Sequence, residues 1–465
     1  MKTPVLLVGR VAAAIALLVA WTIGGRSAEA DASIPNVQVT DAADLAHVEP
    51  SVAVNPANPK NLLAATQLLP EPGPGPTTLG AYASFDGGRI WQDVGPLPLP
   101  TGTNTGDDVT VAFDADGHGF ICAMVTSEEG GQMSRDDRNV AIWRTDDGGR
   151  TFAAPVLAVS HQFVDHPWLA VDPVSGALYL AWVADEHASE GFTRSTDGGA
   201  TFDPPRNVAT PPGSVSGAIV AVANGAVAIA YETGINGRDP FAGEEDEETD
   251  AANAPAAQQH AGEVDAQIEV LGSTDGGTTF GDPAAVAQVV SEPALPGDVH
   301  LPFGESLAIE PDGAVDLAYV ATDPDTGQFH VLLAHAAGAG QPFDPPVTVD
   351  TAWSGEPPAF FQPHVVVDES GAIAVTAFAL ADDRVDLVLW QTASPAVPFG
   401  PATRVTSESF DPAHGMPGTK HGAWWIGDYQ GLATGGGVLH ALWNDTRTGN
   451  LQLFAAAIPI PTNAS

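Results

Sequence analysis

The stretch Ser84-Phe-Asp-Gly-Gly-Arg-Ile-Trp91 decides the fold of this chain, because the same eight-residue turn returns three more times. The other copies are Thr145-Asp-Asp-Gly-Gly-Arg-Thr-Phe152, Ser195-Thr-Asp-Gly-Gly-Ala-Thr-Phe202 and Ser273-Thr-Asp-Gly-Gly-Thr-Thr-Phe280. Each copy offers an Asp that accepts hydrogen bonds from amides ahead of it, and two glycines that tolerate positive φ. An Asp-Gly pair between extended runs is also typical of a β-hairpin. A repeat of this kind predicts a solenoid, an array or a propeller.

A longer unit of four predicted strands surrounds each turn, with the turn between the third and fourth strands. The first strands of seven such units start near Glu49, Asp108, His166, Ser216, Gly304, Gln362 and Gly427. These starts are about 50 to 65 residues apart, except for one step of 88, which is the scale of a four-stranded propeller blade. The long step holds an insertion at about 236–265, where Glu244-Glu-Asp-Glu-Glu-Thr-Asp250 predicts an acidic loop without regular structure.

The seventh unit contains only three predicted strands, so its fourth strand must come from elsewhere. The segment Asn36-Val-Gln-Val-Thr40 resembles the fourth strands at 346–350 and 402–406. An N-terminal strand that completes the last blade removes the open sheet edges of the ring. We therefore predict an all-β protein, a seven-bladed β-propeller closed by this strand. Six blades with an appended sandwich is the alternative.

Residues 1–30 read as a secretory signal peptide, and 31–465 as a single propeller domain. Basic residues precede an apolar stretch at 11–23, and Ala28-Glu-Ala30 supplies small residues for cleavage. The apolar stretch is short for a membrane span, and an uncleaved anchor is the alternative interpretation. The sequence thus predicts a secreted protein, extracellular or periplasmic, without membrane contact once the signal is removed.

The net charge of −42 arises from 58 acidic and 16 basic residues. This charge argues against nucleic acid and anionic membranes as partners, because Lys and Arg supply the affinity for both. It also favours a neutral over an anionic substrate. Cys122 is the only cysteine, so no intramolecular disulfide forms, and the histidines lack metal-ligand spacing. We expect no metal, no cofactor and a monomeric chain.

Aromatic, acidic and histidine side chains are concentrated where the first strands start. In a propeller these positions surround the mouth of the central channel, opposite the repeated turns, where ligands bind. Aromatic planes cover the C–H faces of a sugar, while carboxylates bind its hydroxyls or transfer protons. We therefore predict a glycan or polysaccharide as the ligand; packing between blades is the alternative role for each residue. The predicted substrate-binding residues are Glu49, His166, Trp168, Phe303, His364, Trp424, Trp425 and Asp428.

The four turns resemble the Asp-box, or BNR, repeat of the sialidase (neuraminidase) superfamily, and the resemblance extends over residues 34–457. Active members of that family use a Tyr nucleophile partnered by Glu, an Asp acid/base and three Arg that clamp a carboxylate. The segment from 304 to 313 is similar to the one bearing the family's Glu, which implies this role for Glu305. Tyr429-Gln-Gly-Leu432 resembles the nucleophile segment and implies Tyr429 as the nucleophile. The candidates for the acid/base, by position, are Asp107, Asp108 and Asp165.

The sequence departs from the sialidase pattern at the arginines. Val48-Glu-Pro50 stands where the family has Arg-Ile-Pro, and Tyr319-Val-Ala-Thr322 lacks the Arg expected after the Glu segment. Neither Val nor Thr replaces a bidentate, permanently charged guanidinium. The arginines that fall in loops on the predicted functional face, and would form a relocated clamp, are Arg135, Arg138, Arg238, Arg384 and Arg447. Two functions follow: a sialidase-like exo-glycosidase with a Tyr–Glu pair, or a non-catalytic propeller scaffold that binds carbohydrate or protein.

Overall fold

The computed structural model describes the chain in segments between residues 33 and 460. These segments are 33–41, 45–70, 76–129, 132–134, 137–235, 264–291, 293, 295–299, 304–323, 326–414 and 424–460. The predicted signal peptide, the insertion from 236 to 263 and Phe303 lie outside them, so those predictions stay predictions. Within the described segments, no helix is long and apolar enough to cross a membrane.

Seven four-stranded antiparallel sheets form the molecule, one for each predicted unit. The innermost strands of consecutive sheets contact each other, and that of the seventh sheet contacts that of the first. Apolar side chains fill the space between neighbouring sheets, and the largest of them are the fully buried Trp143, Trp182, Trp390 and Trp443. The seven-bladed propeller is therefore confirmed, and the six-blade alternative is wrong.

The strands follow one another outward from the channel in each blade, and blade 7 borrows its outermost strand from the start of the chain. Blade 1 holds β2 to β5, at Leu45–Val54, Leu62–Pro70, Thr78–Ser84 and Trp91–Pro96. Blade 2 holds β6, β7, β10 and β11, at Thr105–Phe113, Gly119–Thr126, Arg138–Thr145 and Val156–Gln162, and its second loop carries a small hairpin of β8 (Glu128–Glu129) and β9 (Gln132–Met133). Blade 3 holds β12 to β15, at Val164–Val171, Leu178–Ala184, Ser189–Ser195 and Arg206–Ala209, and blade 4 holds β16 to β19, at Val215–Ala223, Ala226–Gly234, Ala266–Ser273 and Ala284–Val289. Blade 5 holds β20 to β23, at Glu305–Ile309, Val315–Thr322, Phe329–Ala336 and Val347–Thr348; blade 6 holds β24 to β27, at Ala359–Val367, Ile373–Ala381, Arg384–Thr392 and Thr403–Arg404; blade 7 holds β28 to β30, at Gly431–Gly435, Val438–Asp445 and Gln452–Pro459, together with β1 at Val37–Gln38. Short 3-10 turns lie at Pro296–Asp298, Asp350–Ala352 and Pro412–His414.

The N-terminal strand completes blade 7, as the sequence predicts. β1 pairs antiparallel with β30, with Val37 opposite Ala455 and Gln38 opposite Phe454. The amide of Val39 continues the pairing to a carbonyl of the same strand, at 2.8 Å. The ring is thus closed by main-chain hydrogen bonds, which leaves no open edge at this junction.

The repeated turns form the hydrogen bonds that their sequence predicts. In each copy the Ser or Thr hydroxyl accepts the amide of the second glycine at 2.9 to 3.0 Å. The Asp carboxylate accepts the amide four residues ahead at 2.9 to 3.0 Å. Both glycines have positive φ, between 68° and 96°. The turns follow the third strands, and therefore lie on the face opposite the starts of the innermost strands.

Three of these turns are also held by the preceding blade. Asn61 Nδ2 donates to the carbonyl of Gly148 (2.9 Å), and Arg144 Nη1 donates to the carbonyl of Gly198 (3.1 Å). An arginine of blade 3 makes the same contact with the turn of blade 4. The acceptor is the first glycine of the turn each time, and a Cβ at Gly148 would lie only 2.5 Å from the Asn61 side chain. The turns therefore join blades as well as close them.

Candidate functional site

Five innermost strands carry the same β-bulge at the mouth of the channel. In blades 1, 2, 3, 4 and 6 the pairing register shifts there, and one bulge residue has positive φ. Such a conformation is strained for any residue but glycine, and strain of this kind clusters at functional sites. The left-handed residues are Glu49 (φ 56°), Asp108 (φ 49°), His166 (φ 46°), Gly217 (φ 70°) and Gln362 (φ 46°).

Hydroxyl side chains just beyond the bulges connect the innermost strands of neighbouring blades. The Ser51 hydroxyl accepts the amide of Val111 from the next blade (3.1 Å), and Thr110 Oγ1 accepts the amide of Leu169 (3.2 Å). Ser306 of blade 5 does the same for blade 6, at 3.2 Å. The side chains at the mouth are therefore held in fixed positions relative to one another.

A small cavity lies among these strands. Its volume is about 30 Å³, which is room for about two water molecules and too little for a sugar ring. Residues from five blades line it, and six of them belong to the predicted site. These six are His166, Trp168, Glu305, His364, Asp428 and Tyr429.

Two glutamines that line the cavity were missed by the sequence interpretation. Gln362 Nε2 donates to the carbonyl of Gly427 (2.6 Å), and Gln430 Nε2 donates to the carbonyl of Gln362 (2.7 Å). The sequence does contain a signal for Gln362, since it precedes Pro363 at the start of its innermost strand. Glu49 and His166, two predicted site residues, precede prolines at the same position of their blades. His364 completes this wall, since its Nδ1 donates to the Gln430 carbonyl (2.8 Å).

Tyr429 lies against the wall of the cavity. Its hydroxyl donates to the carbonyl of Val109 (3.1 Å), and its ring meets that of Trp168 edge to face with centroids 5.4 Å apart. Burial, reinforced by the charges of Glu49 and Asp108, holds the pKa of the phenol well above its usual range. The phenol therefore keeps its proton unless a base removes it.

Glu305 starts the innermost strand of blade 5 and belongs to a group of three buried carboxyls, with Glu190 and Glu232. Burial raises the pKa of Glu305 to about 7, while Glu232, two nearby amides and His166 moderate the rise. None of the described residues donates a hydrogen bond of ordinary geometry to its oxygens. Burial and the charge of Glu305 also raise the pKa of Glu190 and of Glu232 well above the usual range. Glu305 is thus a neutral acid at mildly acidic pH.

Asp165 lies in a chain of charged and imidazole groups between blades 2 and 3. Its carboxylate is 3.5 Å from Arg138 Nη1, 3.6 Å from His187 Nε2 and 3.8 Å from His166 Nε2. The other ring nitrogen of His166 is 3.6 Å from Asp108 Oδ1. His166 therefore connects Asp108 and Asp165, two of the three Asp residues that the sequence offers as acid/base.

Carboxylates give the mouth a locally negative character. Oxygens of Glu49, Asp107 and Asp108 lie within 4.8 Å of one another. Trp425 is buried and its Nε1 donates to Asp428, so this Trp positions an acidic side chain and its own ring is covered. Trp424 is half-buried and forms a parallel bridge with Val299.

The candidate arginine clamp is dispersed. Arg138 is held by Asp165 and by the carbonyl of Val164 (3.1 Å), and Arg447 pairs with Asp445. Arg384 lines a separate groove of about 320 Å³ on blade 6, beside Trp353 and Arg404. Arg135 and Arg238 lie outside the described residues. No described arginine lines the central cavity.

Comparison with solved structures finds the same fold in a polysaccharide lyase, and weaker similarity to two other carbohydrate-active enzymes. An ulvan lyase, a polysaccharide lyase, is 12% identical with a TM-score of 0.51, over 91% of this chain and 96% of that one. An α-L-arabinanase of Penicillium chrysogenum is 13% identical (TM-score 0.48; 92% and 98% covered), and a Hadza microbial sialidase is 14% identical (TM-score 0.46; 89% and 66% covered). At 12% identity the likeness to the ulvan lyase shows the fold alone. No protein-family model matches the chain, and no curated protein matches it.

Proposed function

We propose that this protein binds a neutral glycan at the mouth of the channel and hydrolyses a glycosidic bond there. The observation that carries the proposal is Glu305, a buried carboxyl with its pKa raised to about 7, in one cavity with Tyr429, His166 and Trp168. A carboxylic acid that stays protonated near neutral pH is suited to protonate a leaving sugar oxygen. The proposal rests on the site and not on the fold, because a common fold hosts many unrelated functions.

The proposed reaction proceeds in two steps. Glu305 gives its proton to the glycosidic oxygen as that C–O bond breaks, while Tyr429 bonds to the anomeric carbon and passes its phenolic proton to Asp108. The Glu305 carboxylate then takes a proton from a water molecule, whose oxygen displaces Tyr429 from the sugar, and Asp108 returns the proton to the phenol. This assignment differs from the Tyr–Glu pair that the sialidase resemblance implies. Its basis is that the Tyr429 hydroxyl lies beside the Asp108–Val109 segment.

A neutral sugar suits the charges at the mouth better than a sialic acid does. Glu49, Asp107 and Asp108 repel an anion, and the described arginines are held elsewhere. Because the cavity holds only about two water molecules, the sugar would lie at its rim. There the partly exposed faces of His166 and Trp168 would receive it.

The second candidate function is non-catalytic binding of a glycan or a protein. It is favoured by the hydrogen bond of Tyr429 to the Val109 carbonyl, which directs the proposed nucleophile to the main chain. For this function the residues at the mouth recognise the ligand, and the buried carboxyl groups have only a structural role in the wall of the cavity.

A panel of fluorogenic glycosides tests the proposal, with neutral sugars in both anomeric forms and one sialoside. We expect turnover of a neutral glycoside, and a loss of about 10²- to 10⁴-fold in kcat on replacing the general acid by Glu305→Gln. Tyr429→Phe removes the nucleophile and abolishes turnover. Glu369→Gln, an exposed carboxyl on a turn, is the matched control and keeps full activity.

Glycan-array binding of the same variants separates the two candidates. Array signal that is lost in His166→Ala, together with no hydrolysis of any glycoside, supports the binding function and rejects the catalytic one. If the protein neither hydrolyses a glycoside nor binds a glycan, both candidate functions are rejected. Turnover that Glu305→Gln leaves intact rejects the assigned mechanism.

A further inference from the structure

Three potential metal ligands meet on the opposite face of the propeller, in blade 5. Glu310 follows the innermost strand β20, Asp316 lies in β21 and His335 lies in β22. The pairing places Asp316 directly opposite His335 on one side and Ala308 on the other. Their side chains therefore come together at the ends of three adjacent strands, and their spacing along the chain, six and then 19 residues, matches no metal-binding motif.

The three groups lie close enough together to share one metal ion, and two of them, His335 and Asp316, also share a hydrogen bond. His335 Nδ1 is 3.0 Å from Asp316 Oδ1 and 3.7 Å from Glu310 Oε1. One ligand atom of each residue lies within 4.8 Å of both others. The side chains of His335 and Glu310 are 26% and 14% exposed, whereas that of Asp316 is 0% exposed. The cluster is thus closed to water at Asp316 and open to water at His335 and Glu310.

The second oxygen of Asp316 supplies an independent indication of a ligand. Asp316 is completely buried, and its Oδ2 has no hydrogen-bond donor among the described residues. Buried carboxylate oxygens normally have a donor or a metal as partner. Here the neighbouring group is a second carboxyl, that of Glu310, which brings repulsion when both are ionised.

We propose that Glu310, Asp316 and His335 bind one divalent transition-metal ion, with Zn²⁺ as the most suitable ion and Mn²⁺ as the next. An imidazole nitrogen with two carboxylates suits these ions, whereas Ca²⁺ and Mg²⁺ prefer oxygen ligands throughout. Three protein ligands leave a coordination position for water on the exposed side. The site is separate from the channel mouth and independent of the proposed function.

The position of the site suggests what the ion does. Blade 5 has Ala336 and Gly338 where the repeated turn has its hydroxyl and its Asp, so it lacks the hydrogen bonds that close blades 1 to 4 on this face. An ion bound by Glu310 after β20, by Asp316 at the start of β21 and by His335 at the end of β22 would join these three strands at that same face. Its binding energy adds to the stability of the folded chain, because the unfolded chain has no assembled site.

Zinc titration of the whole protein, stripped with a chelator and then transferred to chelator-free buffer, tests the proposal. Titration calorimetry in a background of Mg²⁺, a hard cation that competes for sites made of oxygen ligands alone, should show one Zn²⁺ per chain. Bound Zn²⁺ should also raise the thermal midpoint. His335→Gln should weaken this binding at least about 10-fold. The control is His330→Gln on the same strand, because His330 pairs with a single carboxylate, that of Asp350, at 3.0 Å.

Co²⁺ in place of Zn²⁺ gives a second measurement that does not depend on stability. Its visible absorption should be present in the native protein and in His330→Gln, and should change in His335→Gln and Asp316→Asn. Failure of the native protein to take up one Zn²⁺ overturns the proposal, and the carboxyls then share a proton instead. Equal binding by His335→Gln and the native protein also overturns it, because the ion would then lie elsewhere on this acidic chain.

Discussion

Replacing Glu305 by Gln should change how the stability of the protein depends on pH. The folded-state pKa of Glu305 is about 7, against 4.5 for an ordinary Glu. Because the folded pKa is raised, the contribution to stability is fully present below pH 4.5 and is lost as the pH rises to about 7. The full difference of 2.5 pH units corresponds to about 3.4 kcal/mol. Gln cannot ionise, so the variant does not lose this stability.

The measurement is the free energy of unfolding in guanidinium chloride, followed by tryptophan fluorescence between pH 5.5 and pH 8. This range stays clear of the isoelectric point near 4.2 and covers 1.5 of the 2.5 pH units. The native protein should therefore lose about 2 kcal/mol more than Glu305→Gln across it. Glu369→Gln removes the same unit of charge from an exposed position, and should follow the native protein.

Parallel pH profiles for the native protein and Glu305→Gln would refute this reasoning, because they would mean that Glu305 is ionised in the folded state throughout. A profile of Glu369→Gln that matches Glu305→Gln would assign the effect to net charge instead. Either result would also remove the observation on which the proposed general acid depends.

Two further substitutions test how the blades are joined. Asn61→Ala removes a buried side chain that donates to the carbonyls of Ser84 and Gly148, and should lower the free energy of unfolding by about 1 to 3 kcal/mol. The control is Asn58→Ala, at an exposed position, which should change the stability little. Equal denaturant midpoints for the two variants would show that Asn61 does not hold the turn. Gly272→Ala places a Cβ 1.9 Å from the Gly340 amide nitrogen of the next blade, and should cost at least about 3 kcal/mol. At Gly400 a Cβ meets only an oxygen at 3.6 Å, so Gly400→Ala is the control; a cooperative thermal midpoint for Gly272→Ala equal to that of the control would contradict the close approach of the two blades.

Much of the architecture was predictable, because turn chemistry and strand spacing are local properties of sequence. Asp86 and its three counterparts determine the phase of four blades, and the other units follow from strand spacing. The short strand at Val37 was predictable because its segment resembles two other fourth strands, and because a ring with an open edge is physically unfavourable.

The site was predictable only in part, because its central features arise from contacts between blades. Glu190 lies on the third strand of blade 3 and Glu232 on the second strand of blade 4, away from the starts of the innermost strands, from which the sequence analysis took its candidates. The raised pKa values of all three glutamates come first from burial, which sequence alternation does not reveal. The cluster of Glu310, Asp316 and His335 was missed for a similar reason, since sheet pairing assembles it from three separate strands.

The bulges at the channel mouth have a consequence for the evolution of this protein. Blade 4 already has glycine at the left-handed position, Gly217, so the fold does not require a side chain there. At the four equivalent positions Glu49, Asp108, His166 and Gln362, left-handed backbone costs about 1 to 2 kcal/mol each. Selection for heat resistance alone would favour glycine at all four positions. Selection for chemistry at the mouth would favour functional side chains there instead. The four side chains now present there cost stability that glycine would not cost, and the proposed chemistry at the mouth gives a reason for that cost.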